Sequence, residues 1–243
     1  SRLKGIGRAI CCVLAQQKID IFFTYWTAYD QTMPWGIASN EPALIQAEIE
    51  AFGVRCATME LDLTSPNAIE QLFEGVKESL GNPHILVNNA TYSTQTNIEE
   101  IIGSELDRHY QLNMRATTLL ISVFIQQFTG KVDGRIINLT SGQSLGAMPN
   151  EIAYGMTKAA IETLTKTIAS SIAAKGITIN AVNPGPNDTG WMDATLETDL
   201  LRRFPMQRIG QPTDIADLIG FLVSEKGAWI TGQVIHSEGG FIR

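Results

Sequence analysis

An alternation of two kinds of segment along the chain most constrains its fold. Short apolar segments rich in β-branched and aromatic residues are expected strands, and longer segments with helical periodicity separate them. Strands that are apolar throughout are typical of a parallel sheet covered on both faces. We therefore predict an α/β fold, a doubly wound single domain with a mostly parallel sheet flanked by helices on both faces. The expected strands are IDIFFTYW, VRCATMELDL, HILVNNA, GRIINLTS, GITINAVNPG and WITGQVIHSEGG.

Turn and capping residues mark the expected helices. SPNAIEQLFEGVKESLG is predicted to begin at a Ser65 cap, with Pro66 in its first turn, and to end at Gly81. Further helices are expected in KGIGRAICCVLAQQ, in PALIQAEIEAFG, in IEEIIGSELDRHYQLNMRATTLLISVFIQQF and around YGMTK. The first of these helices lacks the strand that should precede it, and that strand is central in a doubly wound sheet. We expect it upstream of residue 1, and otherwise a single domain over residues 1–243, since no repeat or linker divides the chain.

Composition excludes several classes of function. A hydrophobic content of 44% with 18% charged residues is that of an ordinary globular protein. The net charge of −7 and the lack of a basic run argue against nucleic acid as a partner. No apolar stretch reaches the ~18 residues that a membrane span needs. Three cysteines, Cys11, Cys12 and Cys56, lack metal-site spacing and are expected to be reduced core thiols of a cytoplasmic protein.

The segment YGMTK places Tyr154 and Lys158 one helical turn apart. Two interpretations are open: an ordinary pair on an exposed helix, or a lysine that changes the chemistry of the tyrosine. A tyrosine with a pKa of about 10 is a poor base at neutral pH, and an ammonium within about 4–6 Å favours the phenolate. Ser141 closes an expected strand thirteen residues earlier. Its hydroxyl could hold a substrate oxygen while the tyrosine moves a proton.

Other segments could bind a ligand at the carboxyl ends of strands. The glycines in KGIG could bring a pyrophosphate close to a helix start, or simply begin a helix. Asn88–Ala90 could contact a cofactor or satisfy a turn, and Asp62 could accept from an adenine amino group or cap a helix. Pro184 and Gly185 force a turn, and Thr189 offers a hydroxyl beyond it. His84, His109 and His236 are isolated, so we predict structural roles for them and no metal site.

Taken together, these segments resemble the short-chain dehydrogenase/reductase family, which has a Rossmann fold. The resemblance covers nearly the whole chain, in the family's order and spacing. Among members, the chain is similar to beta-ketoacyl-[acyl-carrier-protein] reductases. The motifs that carry it are GIG at residues 5–7, NNA at 88–90, Asn113, Ser141, Tyr154, Lys158 and PG at 184–185.

The resemblance implies an NAD(P)-dependent oxidoreductase that reduces a 3-oxoacyl thioester or a similar ketone. Tyr154 would donate the proton, Lys158 would lower its pKa and hold the nicotinamide ribose, and Ser141 would orient the substrate oxygen. Asn113 would anchor a proton-relay water. The remaining cofactor contacts implied are Gly5, Ile6 and Gly7 at the pyrophosphate, Asp62 and Leu63 at the adenine, Asn89 and Ala90 at the adenosine, and Pro184, Gly185 and Thr189 at the carboxamide.

The chain departs from the family pattern at three places. The family turn is TGxxxGIG. When it is aligned on GIG at residues 5–7, Ser1 stands at the position of the first glycine. The family's NNAG is NNAT here, so Thr91 adds a side chain beside the expected cofactor. The stretch 27–42, TAYDQTMPWGIASNEP, is long and contains Tyr29, Pro34 and Trp35. We expect an ordered flap there.

Cofactor choice depends on the end of the first expected strand. An aspartate there would bind the ribose hydroxyls and repel a 2′-phosphate, but this chain has Thr24, Tyr25 and Trp26. Arg2 and Lys4 of the glycine turn are available instead, so we expect NADP, with NAD possible if Asp30 folds back.

Two further expectations concern the substrate and the assembly. Residues 188–210 are expected to form a substrate lid, with apolar contacts from Trp191, Met192, Leu196 and Phe204. The resemblance also implies a homotetramer, or a homodimer. The alternative to an enzyme is a non-catalytic dinucleotide-binding sensor or scaffold, which would carry a damaged catalytic set.

Overall fold

Parallel strands alternate with helices throughout the part of the chain that the computed structural model describes, residues 2–33, 36, 40–130 and 133–243. The strands are β1 Ile21–Tyr25, β2 Cys56–Glu60, β3 Ile85–Asn88, β4 Gly134–Leu139, β5 Ile177–Asn183 and β6 Val234–His236. The α-helices are α1 Ile6–Gln16, α2 Thr27–Gln31, α3 Glu41–Glu50, α4 Ala68–Ser79, α5 Gly103–His109, α6 Thr117–Gln127, α7 Ile152–Ala173, α8 Ala194–Leu201 and α9 Pro212–Val223. A π-helical turn, Tyr110–Ala116, joins α5 to α6, and a short 3-10 turn, Glu225–Gly227, follows α9.

The chain divides into two units. The first comprises Ser1–Pro83, Pro186–Phe221 and Gly239–Ile242, and the second comprises His84–Gly185, Leu222–Glu238 and Arg243. The expectation of one domain over the whole chain remains a prediction.

The first unit contains a two-stranded parallel sheet. β1 and β2 pair from Ile21 opposite Cys56 to Tyr25 opposite Glu60. Helix α3 buries Ile45 and Ile49 completely, and burying such a side chain contributes about 1.5–3 kcal/mol. Arg8 of α1 donates from Nε to Glu48 of α3 at 2.7 Å, which joins the two helices.

The second unit contains a four-stranded parallel sheet in the order β3-β4-β5-β6. The central strands β4 and β5 are buried at every position, as their apolar sequences predicted. In β4, the buried side chain of Asn138 is hydrogen-bonded: it accepts from Asn88 at 2.8 Å and donates to Thr165 of α7 at 2.9 Å. The predicted α/β class with parallel strands is confirmed.

The strand register of the second unit sets where a ligand can approach. Asn88 lies opposite Asn138, and Leu139 lies opposite Val182. Because the strands are parallel and in step, the segments that follow β3, β4 and β5 leave the same edge of the sheet. That edge is the one at which ligands bind in folds of this class.

The predicted start of helix α4 was wrong. The helix begins at Ala68, after Asn67 in the left-handed region with φ of 63°, and no side chain caps it. The Ser65 amide donates to the carbonyl of Asp62 at 3.0 Å, so Ser65 belongs to a preceding turn. The predicted end was correct in kind, since Gly81 adopts a φ of +96°, a conformation that favours glycine.

Two other predicted boundaries were also wrong. The helix expected from Ile98 begins at Gly103, because Asn97 accepts from the amides of Glu99 and Glu100 and holds a turn there. It is also interrupted by the π-helical turn, which the hydrophobic pattern does not indicate. The closing strand is shorter than predicted and consists of Val234–His236.

Candidate active site

Helix α7 places Tyr154 and Lys158 one turn apart in the second unit. Only 4% of Lys158 is exposed, and its Nζ donates to the carbonyl of Leu139, the last residue of β4, at 2.9 Å. The same nitrogen lies 5.5 Å from the centroid of the Tyr154 ring. Tyr154 and Lys158 are therefore not an ordinary surface pair, because the ammonium of Lys158 is buried and lies over the Tyr154 ring.

Burial changes the acidity of this lysine. It lowers the pKa of Lys158 to about 8, since a charged group loses its hydration in the interior. The side chain is therefore still mostly protonated at pH 7. A buried cation beside a phenol favours the phenolate form of that phenol.

Ser141 follows β4 and begins the loop that leads towards α7. Its hydroxyl makes a long contact of 3.8 Å with the sulfur of Met148, and sulfur is a weak acceptor. The structure thus places Ser141 at the carboxyl end of the strand whose last carbonyl binds Lys158.

The Asn113 side chain lies in the π-helical turn and is 2% exposed. Its Oδ1 accepts from the Tyr92 amide at 2.8 Å and from the Thr91 hydroxyl at 3.0 Å. Its Nδ2 donates to the Tyr92 carbonyl at 2.9 Å and to the Thr157 hydroxyl of α7 at 3.0 Å. These four bonds fill the hydrogen-bonding capacity of the amide. Asn113 thereby ties the segment after β3 to α7, and Thr91, the departure from NNAG, takes part in that link.

The segments after β3 and β5 carry other predicted residues of the second unit. Asn89 is half-buried and Ala90 is exposed. Pro184 and Gly185 follow β5, where Gly185 has a φ of +62° and a Cβ would lie 2.4 Å from the Cβ of Glu238. Its amide donates to Asn183 Oδ1 at 2.9 Å. Both the conformation and the space at this turn therefore require glycine.

Five of the predicted cofactor residues of the first unit, Arg2, Lys4, Gly5, Ile6 and Gly7, lie at the start of α1. Gly5 is the N-cap in an extended conformation, without a side-chain cap, and the first turn holds no acidic residue. A Cβ on Gly5 would lie 3.2 Å from the Arg2 carbonyl. Ile6 and Gly7 form the first turn of the helix. Its free amides, with the partial positive charge of a helix start, suit an anion.

Arg2 is half-buried and Lys4 is exposed. Burial lowers the pKa of Arg2, and the negative charges of Asp30 and Glu41 oppose that shift. Asp30 therefore lies close enough to Arg2 for its charge to act on the guanidinium.

Asp62 lies two residues after the end of β2, and its side chain forms hydrogen bonds within the following turn. Its Oδ1 accepts from the amide of Thr64 at 2.8 Å and from the hydroxyl of Thr64 at 2.7 Å, which closes the turn before α4. Its neighbour Leu63 is buried.

The expected lid, residues 188–210, lies in the first unit and has its own apolar core. Met192 and Leu196 pack against a cluster of Leu200, Phe204 and Ile209. Phe204 lies inside this cluster, 3% exposed, so its expected substrate contact gives way to a structural position. Trp191 is 45% exposed and donates to the Asn187 carbonyl at 3.0 Å. Thr189 is half-buried.

The three cysteines are free and keep some exposure, while burial raises the pKa of Cys11 and of Cys56 to about 12. His109 is buried and its Nδ1 lies 2.7 Å from the Glu105 carbonyl. Ser1, and Pro34 and Trp35 of the expected flap, lie outside the described residues.

Two negative findings apply to the described ranges. Among these residues no helix is both long and apolar enough to cross a bilayer. Within the same ranges, no three histidine, cysteine or acidic side chains converge in a way that could hold a metal ion.

Sequence reasoning missed several residues that shape this part of the molecule. Glu162 of α7 accepts hydrogen bonds from the loop that carries Ser141. Glu238 accepts from Asn183 and from both terminal nitrogens of Arg243. The spacing of Glu162, one turn beyond Lys158 and two beyond Tyr154, was a usable signal, since residues four apart share a helix face. The Glu238–Arg243 pair had no comparable signal.

Comparison with known proteins finds relatives over nearly the full chain. A family model described as Enoyl-(Acyl carrier protein) reductase matches residues 2–242. The uncharacterized oxidoreductase YjdA of Bacillus subtilis is 46% identical over 243 residues, 98% of this chain and 92% of that protein. The 3-oxoacyl-[acyl-carrier-protein] reductase FabG of Staphylococcus epidermidis is 32% identical over 242 residues, 98% of this chain and 94% of that protein.

Solved structures give the same result. The crystal structure of the landomycin C-6 ketoreductase LanV with bound NADP and rabelomycin matches with a TM-score of 0.83 and 32% identity. The match covers 98% of this chain and 91% of that one. The Rossmann-type α/β fold with parallel strands and flanking helices is thereby confirmed.

The buried lysine predicts a pH dependence of stability. The folded-state pKa of Lys158, about 8, lies below its ordinary value of 10.5, so between these values the unfolded chain binds a proton that the folded chain has released. The free energy of unfolding should therefore rise with pH across this window. Each pKa unit corresponds to about 1.4 kcal/mol. Urea unfolding of the wild type and of Lys158→Met, from pH 7.5 to 10.5, checks this. The wild-type value should rise relative to the variant, and parallel curves would contradict the assignment.

Proposed function

Since the chain belongs to the short-chain dehydrogenase/reductase family, NAD(P)-dependent oxidoreductases of ketones and alcohols, we propose that it reduces a 3-oxoacyl thioester or a similar ketone with NADPH. The observation that carries the proposal is the burial of Lys158 beneath Tyr154, with Ser141 on the strand end to which that lysine binds. In this arrangement Tyr154 would transfer one proton to or from a substrate oxygen.

The residues present fit a dinucleotide. The uncapped start of α1, free of acidic residues and adjacent to Arg2 and Lys4, suits a pyrophosphate. Gly5, Ile6 and Gly7 would hold that group, and Asp62, Leu63, Asn89 and Ala90 would lie along the adenosine. Pro184, Gly185 and Thr189 would hold the nicotinamide carboxamide, and Lys158 the ribose. When bound, the nicotinamide supplies the hydride for the carbonyl carbon.

Side chains of the protein would supply the proton and hold the oxygen that accepts it. Lys158, buried and still cationic at pH 7, stabilises negative charge on the Tyr154 oxygen and so makes the phenol a stronger acid. Tyr154 then donates its proton to the carbonyl oxygen of the substrate, and the Ser141 hydroxyl donates a hydrogen bond to the same oxygen. Positioned acid–base groups of this kind contribute roughly 10²–10⁴-fold to a rate.

The hydrogen bonds of Asn113 limit how this residue would hold the proposed relay water. Its side-chain amide already makes four hydrogen bonds within the protein. We propose that its main-chain carbonyl, in the π-helical turn, is the group that would hold a water near Lys158. The side chain would fix the turn.

Substrate contacts, assembly and location follow from the family alone. Trp191 and Met192 are proposed substrate contacts, carried by a lid with its own apolar core. A homotetramer or homodimer in the cytoplasm is proposed likewise. The alternative function, a dinucleotide-binding sensor or scaffold, is disfavoured by the intact set of Asn113, Ser141, Tyr154 and Lys158.

Substitution of the tyrosine tests the proposed reaction. Tyr154→Phe removes the proton donor, so kcat for ketone reduction should fall by roughly 10²–10⁴-fold while NADPH affinity changes little. Tyr110→Phe, the same change at a half-exposed residue, is the control and should retain activity. Steady-state kinetics with a 3-oxoacyl thioester, together with fluorescence titration of NADPH, give both values. Full turnover by Tyr154→Phe would contradict the mechanism, and NADPH binding without turnover in the wild type would favour the sensor.

Cofactor preference is tested at the glycine turn. If Arg2 holds a 2′-phosphate, Arg2→Ala should weaken NADPH binding by about tenfold or more, the loss expected for a charge-assisted hydrogen bond, and leave NADH binding nearly unchanged. Arg55→Ala is a suitable control, because Arg55 is an exposed arginine paired with Asp20 in the same unit. Calorimetric titration with both cofactors separates the outcomes. Equal losses for NADPH and NADH would contradict the role of Arg2.

A further inference from the structure

A buried carboxylate lies behind the loop that carries Ser141. Glu162 of α7 is 6% exposed. One of its oxygens, Oε1, accepts from the Thr140 hydroxyl at 2.9 Å, from the Gln143 amide at 3.0 Å and from the Ser144 hydroxyl at 3.4 Å. The donors are the residue before Ser141 and the residues two and three after it. A single oxygen therefore holds the chain on both sides of the serine.

The same helix holds the end of β4 at two further points. The Thr140 hydroxyl also lies 3.3 Å from the carbonyl of Lys158, and Lys158 Nζ donates to the carbonyl of Leu139. Lys158 and Glu162 are four residues apart and so share a face of α7. The helix that presents Tyr154 thus also fixes the backbone that presents Ser141.

The serine itself has little to fix it. The hydrogen bond recorded for its hydroxyl is the long contact with the Met148 sulfur, at 3.8 Å. Its position must therefore come from the backbone on either side, which Glu162 holds. Reacting groups need placement to within a fraction of an ångström, and a displacement of about 1 Å can lower a rate by about 10²-fold.

A carboxylate is an energetically unfavourable group to bury at the position of Glu162. Burial of an ionised group costs several kcal/mol unless hydrogen bonds offset it, and an apolar side chain would fill the space without that cost. Three hydrogen bonds to one oxygen of Glu162 offset that cost. The chemistry at Glu162 therefore favours rigid placement of a loop over simple packing.

We infer that Glu162 is a positioning residue, which holds the Ser141 hydroxyl in register with the Tyr154 oxygen. This inference rests on the proposed function for its catalytic consequence, but its structural consequence can be measured separately. Loss of the carboxylate frees the loop of residues 140–146, while Tyr154 and Lys158 remain on an intact helix. Turnover then falls and cofactor binding does not.

The test compares Glu162→Ala and Glu162→Gln with the control Thr163→Ala. Thr163 is the exposed next residue of α7, and its hydroxyl bonds to the carbonyl of Ala159. Four quantities are measured: kcat and KM for S-acetoacetyl-N-acetylcysteamine, NADPH affinity, and hydrogen–deuterium exchange of the 140–146 peptide.

Glu162→Ala should lower kcat by about 10-fold or more, leave NADPH affinity unchanged and raise exchange in 140–146. Glu162→Gln keeps an acceptor oxygen and should recover most of the activity. The inference is overturned if Glu162→Ala behaves like the control, or if it weakens NADPH binding as much as it lowers kcat.

Two further comparisons apply if Glu162→Ala does not fold or if the wild type reduces no ketone. If Glu162→Ala does not fold, the pair Gln143→Met with Ser144→Ala removes two of the three donors without altering α7, and it should move kcat and exchange in the same direction. If the wild type reduces no ketone probe, the proposed function fails. Exchange in 140–146 then decides the role of Glu162, and unchanged exchange in the variants would refute it.

Discussion

The burial of a single ammonium group is the constraint on which the rest of the candidate site depends. Lys158 is almost fully enclosed, with its Nζ on the last carbonyl of β4 and its charge beneath the Tyr154 ring. A buried cation is unfavourable unless its surroundings are polar and well ordered. The end of β4 must therefore lie where its carbonyl can meet the lysine, and α7 must pack closely enough to exclude water.

The supporting contacts share one geometry. Helix α7 carries Tyr154, Lys158 and Glu162 at intervals of four residues; Lys158 binds the last carbonyl of β4, and Glu162 binds the loop that follows it. Asn113 connects the segment after β3 to Thr157 of the same helix. The helix is thus the element to which the neighbouring loops are fastened. Its length of 22 residues provides the apolar face, with Ile161, Ala169 and Ile172 buried, that holds it on the sheet.

The sequence was sufficient for those parts of the fold in which local pattern and tertiary environment agree. The apolar runs of β4 and β5 are buried at every position, and the spacing of Tyr154 and Lys158 placed both on one helix face. Predictions of helix starts from local pattern were wrong where a side chain forms hydrogen bonds to backbone groups and holds a turn. Asp62 and Asn97 hold turns that delay the starts of α4 and α5. The π-helical turn around Asn113 is stabilised by bonds to residues twenty or more positions away.

Residues that act through others were the hardest to predict. The candidates with an expected role at the ligand were recognisable by type and position after a strand. The spacing of Glu162 indicated its helix face but not its role, because its three partners belong to a loop about twenty residues earlier whose course the sequence does not reveal. The ion pair of Glu238 with Arg243 is similar: its link through Asn183 to the Pro184–Gly185 turn exists only in the folded chain.

The acidity of Tyr154 is the most direct measure of the central claim that buried Lys158 activates it. Protein with ¹³C at the ζ carbon of its five tyrosines would be titrated by NMR, with Tyr154→Phe to assign the resonance. The account predicts that Tyr154 ionises well below the ordinary tyrosine pKa of about 10, and that this pKa rises in Lys158→Met. A Tyr154 that titrates with the other tyrosines, or that does not respond to loss of the lysine, would contradict it.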